Sequence, residues 1–428
     1  LPHNRARLCG SACALKGTAM SAKVSPALDD LLVSPGFYQD PYPIYAELRR
    51  QVRVAWSEAL GGWLIPRYDD VVATMLDVKH FSSQGRVLAV LDRLPQELRP
   101  HFRPFENHFT GGLINADPPN HTRLRALVNH AFTPRTVERL KPRIQVLVDE
   151  LIDNVVAGGQ MDLIHDFAYP LPAIVIAEIL GVPPETREDF QVWSDGVLAF
   201  QGTGFVTPEV LDAAQTHLIA MRNFLAELLD DRRKQPRDDL LSELVRAEVE
   251  GDRLTPAELL TTCVTLLIAG HETTTNLIAS GLYTLLRQPA ALDRLRSDPS
   301  LLPSAVEEMM RYEGPLQRNP RRMTEDYEYG GALLRKGDYV LQMMGAANRD
   351  GQQFPNPEQF DLARTPNRHI AFGFGIHFCV GAPLARMEVP IAVGTVLRRL
   401  PNLRLAAEEL AWRPHGLLRG LYKLPVSF

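Results

Sequence analysis

Cys379 stands in the run FGFGIHFCVG, residues 372–381, with glycines at 373, 375 and 381 and a histidine at 377. Thiolate, not thiol, is the form of cysteine that binds a metal, and the positive end of a helix favours it. A helical pattern, GAPLARMEVPIAVGTVLRRL, begins just after Cys379, which places the sulfur at a helix N-terminus. The glycines allow turns and a close approach of backbone to a flat ligand. N–H groups exposed by such turns can hydrogen-bond the sulfur and tune its donor strength. A small cysteine buried in a turn is the plainer alternative, and it suits Cys263, which has none of this company.

A second cluster, AGHETT at 269–274, lies inside an apolar stretch. His271-Glu272 opens like a zinc-protease HExxH, but Thr275 occupies the place of the second histidine, so a zinc helix is rejected. Gly373-x-Gly375 opens like a dinucleotide fingerprint, yet Phe378 takes the third glycine position and no parallel-strand unit surrounds it. A phosphate-binding GxxxxGK[ST] is absent. What remains is a single thiolate with an open face opposite, the arrangement of a haem-thiolate centre.

These residues need rigid elements around them, and most of the sequence reads as helix. Apolar spacing predicts helices over 40–51, 122–132, 135–157, 208–234 and 299–313. Strand signals are short: RVAWSE, GWLIPR, YEYGGALLRKGDYVLQ and the terminal YKLPVSF. The sharpest element starts at Thr255-Pro256-Ala257-Glu258, a capping box with proline at the first helical position. It runs to about Gln288, a length of roughly 50 Å at about 1.5 Å per residue. Glycine and three threonines in its middle are weak helix formers, and local rules fail most often at functional sites.

The 428 residues carry 45% hydrophobic and 23% charged side chains, enough for a sizeable globular core. A formal net charge of −5 gives no electrostatic case for nucleic acid. Four cysteines in unrelated contexts suggest no disulfide framework, so a reducing cytoplasm is expected. The apolar run VTLLIAG is far too short to span a bilayer, and a soluble protein is expected. Residues 1–19 read as an upstream or cloning-derived tail, and 20–428 as one large domain, mainly α with small β-sheets.

Phe372-Gly373-x-Gly375-x-His377-x-Cys379-x-Gly381 resembles the haem-binding signature of the cytochrome P450 family, most closely its soluble bacterial members. The resemblance extends from about Asp29 to Phe428 and includes several motifs in the family's order. It implies the P450 fold as a single haem domain, with haem b held through Cys379 as the iron's axial ligand. Glu308-x-x-Arg311 resembles the family's ExxR pair; alone it reads equally as a surface ion pair worth at most ~0.5 kcal/mol. The haem propionates need cations. His121 and Arg125, four apart in DPPNHTRLR, match the family's propionate-binding helix. Arg321 and His377 match two further contacts, with Arg322 the alternative to Arg321 by one residue. Arg318 and Asn319 depart from the apolar residues common at that wall.

AGHETT resembles the family's oxygen-activating helix segment, with Glu272 and Thr273 as its acid–alcohol pair and Gly270 letting the helix open. A threonine satisfied by an upstream helix carbonyl is the plainer reading. The resemblance implies a monooxygenase that inserts one atom of O₂ into an organic substrate by hydroxylation or epoxidation. Electrons are expected from separate partners, a ferredoxin and its NAD(P)H-dependent reductase. A gas-sensing haem protein and a peroxide-driven enzyme are the rival classes, and the acid–alcohol pair counts against both. Apolar segments at 86–91 and 197–205 are expected to wall the pocket, which suggests a lipophilic substrate. The protein is expected to be a monomer.

Overall fold

The computed structural model describes residues 23–86, 91–92, 94–201, 207–249 and 251–428. The expected tail, 1–19, and most of the proposed wall at 86–91 lie outside them. Of the segment 197–205 only 197–201 is described, and there Val197, Leu198 and Phe200 are buried. Phe200 packs edge-on against Phe105, with ring centres 4.9 Å apart, and it joins Val197 in the main hydrophobic core.

A helical layer surrounds the central helix Pro256–Leu286. Its start is fixed as the sequence requires: the Glu258 N–H donates to Thr255 Oγ1 at 3.3 Å, and the Thr255 N–H donates to Glu258 Oε2 at 2.9 Å. The helix stays continuous through Gly270, without an opening. A Cβ at Gly270 would come within 3.0 Å of Ile176 Cγ1, so this glycine lets the helix Pro170–Leu180 pack close. Further along, Gly281 does the same for Met309 of the helix Leu302–Tyr312.

The helices predicted over 40–51, 122–132 and 208–234 form as Tyr42–Gln51, Asn120–Ala131 and Pro208–Lys234. The one expected over 135–157 breaks into Pro134–Glu138 and Lys141–Val156. Pro142, in the first turn of the second piece, has no N–H to continue the ladder. Residues 299–301 form a 3₁₀ turn before the helix Leu302–Tyr312.

The main sheet places five strands in the spatial order Ala55–Ser57, Gly62–Ile65, Tyr339–Gln342, Asn319–Met323, Phe81–Ser82. The run expected as strand over 327–342 divides between a hairpin, Tyr327–Tyr329 with Ala332–Leu334, and the sheet strand Tyr339–Gln342. The C-terminal strand Pro425–Ser427 pairs with Gln160–Asp162 and with Arg404–Leu405.

Glu308 and Arg311 have fully buried side chains, joined by two hydrogen bonds of 2.8 Å. Arg311 also donates to the carbonyls of Asn348, Pro357 and Gln359. Glu308 accepts in addition from the Asp361 N–H, Arg364 and Asn367. One helix is thereby fastened to the irregular segment that leads into the cysteine loop, and the surface-pair reading is excluded.

Candidate active site

Two glycines of the cysteine loop adopt the left-handed region, Gly373 at φ 74° and Gly375 at φ 68°. A Cβ on Gly375 would also come within 3.2 Å of Leu76 Cδ2. A 3₁₀ turn over Gly375–His377 follows, and the Cys379 N–H donates to the Phe372 carbonyl at 2.9 Å, closing the loop. The helix Ala382–Arg399 then begins directly behind the cysteine, as expected. Cys379 retains accessible surface although protein surrounds its sulfur closely. Burial pushes the thiol above its ordinary value; the N–H groups of Gly381 and Ala382 and the cations Arg125 and Arg386 pull the other way. The helix terminus therefore favours the thiolate without outweighing burial.

Basic side chains gather beside this loop from four parts of the chain. Arg125, on the helix Asn120–Ala131, donates from Nη1 to the Phe378 carbonyl at 2.7 Å. His121, one turn earlier, is buried, and its Nε2 has no hydrogen-bond partner among the described residues. Its ring lies edge-on to His377, with centres 4.3 Å apart. His377 Nε2 lies 3.0 Å from Ser83 Oγ. Along the strand Asn319–Met323 side chains alternate. Arg321 is buried, whereas Arg322 reaches outward to Asp92 at 3.1 Å, so the strand's register selects Arg321.

Arg86 completes the group. Its side chain reaches Asn115 and Asn319, and it acts on His377 along with Arg321, His121 and Arg125. Burial is the largest cause of a downward shift at every one of these bases. Arg86 is pushed down to about 9, Arg321 to about 10 and His377 to about 2. Asp117 raises His121 and Arg321 slightly, but it already accepts from the Ser82 hydroxyl and the Ser83 N–H.

On the central helix, Ala269 is exposed, and Thr265, Gly270 and Thr273 near it are partly exposed, which marks an open face. Thr273, one turn on, donates from Oγ1 to the Ala269 carbonyl at 3.0 Å, the plainer expectation for this threonine. The bond leaves its oxygen lone pairs available. Glu272 is nearly buried: Oε1 lies 3.6 Å from Arg413 Nη1, and Oε2 has no hydrogen-bond partner among the described residues. Burial pushes its carboxyl up to about 7 against the pull of Arg413, with Asp195 adding to the rise. His271 turns its Nδ1 to the Leu267 carbonyl within the helix.

A profile of the family described as Cytochrome P450 matches residues 91–403. Cytochrome P450 107B1 of Saccharopolyspora erythraea is 44% identical over 405 residues, covering 93% of this chain and 97% of its own. The cytochrome P450 monooxygenase PikC of Streptomyces venezuelae is 42% identical, covering 97% of each chain. The solved structure of the myxobacterial cytochrome P450 CYP267B1 in complex with myristic acid superposes with a TM-score of 0.84 at 43% identity, covering 93% of this chain and 98% of that one. The chain belongs to the cytochrome P450 family.

This P450 is accordingly an oxidoreductase of the monooxygenase class, and its cofactor is haem. The residues present fit that group on their own chemistry. An exposed cysteine, a buried His121 nitrogen with no partner among the described residues and a set of enclosed cations with one shared carboxylate form a place for a thiolate-bound, doubly anionic ligand. Two surface clefts, of about 640 and 540 Å³, contain none of Cys379, Thr273, His121, Arg125, Arg321 or His377. Among the described residues no helix is long and apolar enough to cross a membrane.

Sequence reasoning missed Arg86, Ser83 and Arg413, each of which reaches the site from a distant segment. Asn319 had left a signal as the polar departure from an apolar wall, and the structure explains it as the acceptor for Arg86 and Arg321. Arg318 points elsewhere, over the ring of Phe37 at 5.0 Å.

Proposed function

We propose that this P450 uses O₂ and reducing equivalents to hydroxylate or epoxidise a lipophilic substrate, with Cys379 as the only protein ligand to iron. Haem bound through a thiolate supplies the oxidising chemistry that places one oxygen atom in the substrate and releases the other as water. His121, Arg125, Arg321 and His377 hold the haem carboxylates. Thr273 and Glu272 manage protons.

The observation that carries this reading is the contrast between those two neighbours. Thr273 lies one turn from the exposed Ala269, its hydroxyl fixed by the Ala269 carbonyl and its lone pairs free to order a water. Glu272 is enclosed, with a carboxyl near 7 and an unpartnered oxygen, so it can give and regain a proton at neutral pH. A protein that only binds a ligand has no use for such a pair. Electrons come from a ferredoxin and its NAD(P)H-dependent reductase. The lipophilic substrate class is supported by the myristic acid bound in the similar CYP267B1 structure. Residues 20–428 act as one haem domain, the tail before them taking no part.

Thr273→Ala tests the assignment. The variant is expected to keep haem and NAD(P)H oxidation while diverting reduced oxygen to hydrogen peroxide, so that product formed per NAD(P)H consumed falls severalfold. An unchanged ratio of product to peroxide at matched electron input would reduce Thr273 to a helix residue.

A further inference from the structure

Arg86 meets no carboxylate among the described residues. The residue is half-buried, but its guanidinium end is enclosed. Among the described residues it donates from Nε to Asn115 Oδ1 at 2.8 Å and from Nη1 to Asn319 Oδ1 at 3.2 Å. Both acceptors are neutral amides. Arg321 Nη1 donates to the same Asn319 oxygen at 2.9 Å, so two guanidinium groups converge on one uncharged acceptor.

Asn319 is not free to relieve them by turning. Its Nδ2 donates to Gln342 Oε1 at 2.7 Å, and Gln342 Nε2 donates to Thr74 Oγ1 at 3.0 Å, on the helix Tyr68–Leu76, both residues being buried. That chain fixes the amide with its oxygen toward the two arginines. Enclosing a charge away from water is unfavourable unless an opposite charge compensates it. Two like charges at one neutral oxygen add repulsion, and Arg321 is the charge that, after burial, lowers Arg86. The missing component is an anion.

We infer that Arg86 and Arg321 together grip a haem carboxylate, making Arg86 a further cofactor-binding residue of this chain. Asn319 and Asn115 position it. The inference rests on the haem reading above. Ser83, three residues before Arg86, lies with its hydroxyl 3.0 Å from Nε2 of His377 in the cysteine loop, which places Arg86 on the cofactor's side of the sheet. A carboxylate could also arrive on a substrate, and the experiment separates the two sources.

Wild-type, Arg86→Gln and Arg86→Lys holoenzymes are compared by the rate of haem transfer to excess apomyoglobin, by the propionate bending bands in resonance Raman spectra, and by the Soret shift on titration with myristate. Arg86→Gln is expected to release haem roughly ten-fold faster, as loss of a charge-assisted hydrogen bond predicts, and to move a propionate band. Its ferrous–CO complex keeps the thiolate spectrum. Arg86→Lys retains the charge but not the planar fork, so it moves the band while holding haem better, and carries the test if the glutamine variant does not fold. Unchanged haem release and unmoved bands in both variants overturn the inference. So does a loss of myristate affinity with both haem readouts unmoved, which assigns Arg86 to the substrate. Absence of a thiolate spectrum in the wild type sinks the haem reading instead, independently of Arg86.

Discussion

At the scale of single residues, the site depends on how far burial moves each group from its behaviour in water. Glu272 has its ordinary value of 4.5 raised to about 7, so between those limits the folded protein holds a proton that the unfolded chain has released. Stability contributed by this group therefore falls as pH rises from about 4.5 to 7, the window where the folded state binds more protons. If the protonated carboxyl resupplies protons, turnover is full below about pH 7 and declines above it. Glu272→Gln should lower turnover about ten-fold or more, remove that inflection from the kcat profile and enlarge the solvent isotope effect. A variant whose profile keeps the wild-type inflection would assign it elsewhere, with Asp195 the nearest candidate. Sequence singled out Glu272, Thr273 and Cys379 because each sits in a short run of residue types that an ordinary helix or turn does not favour. Arg86 sits in no such run, and its meaning comes only from Asn319, more than two hundred positions away.

At the scale of elements, local rules set the ends of helices better than their interiors. The central helix starts where its capping box says, and both reciprocal hydrogen bonds form. Thr255→Ala should reduce stability by about 1 kcal/mol, read from urea denaturation by circular dichroism. Thr255→Ser should restore most of it, and equal loss in both variants would mean that the cap contributes little. Pro142 was visible in the sequence, yet apolar spacing on either side of it suggested one helix where there are two. Gly270, whose lack of a side chain reads as a device for opening the helix, has a packing role that spacing did not show, against Ile176. Strand alternation resolved what spacing left open, since only Arg321 of the adjacent pair faces inward.

At the scale of the whole molecule, Glu308 and Arg311 join helix to irregular chain, and the cysteine loop hangs from that junction. Arg311→Ala would strand a buried carboxylate and three carbonyls, a loss of about 3–5 kcal/mol. The expected outcome is a protein that accumulates with little haem, measured as haem absorbance per protein. Full haem content would show that Arg364 and Asn367 suffice to hold Glu308. The P450 fold was legible from motifs in order, while the contacts that fasten them needed three dimensions. The most direct test of the whole account is the ferrous–CO spectrum of the wild type beside those of Cys379→Ser and Cys263→Ser. Wild type and Cys263→Ser should show the red-shifted Soret band of thiolate-ligated haem, because Cys263 is buried in the core with its thiol pushed up to about 12. Cys379→Ser should lose that band entirely. A Cys379→Ser protein that retains it would place the iron on another ligand and contradict the account.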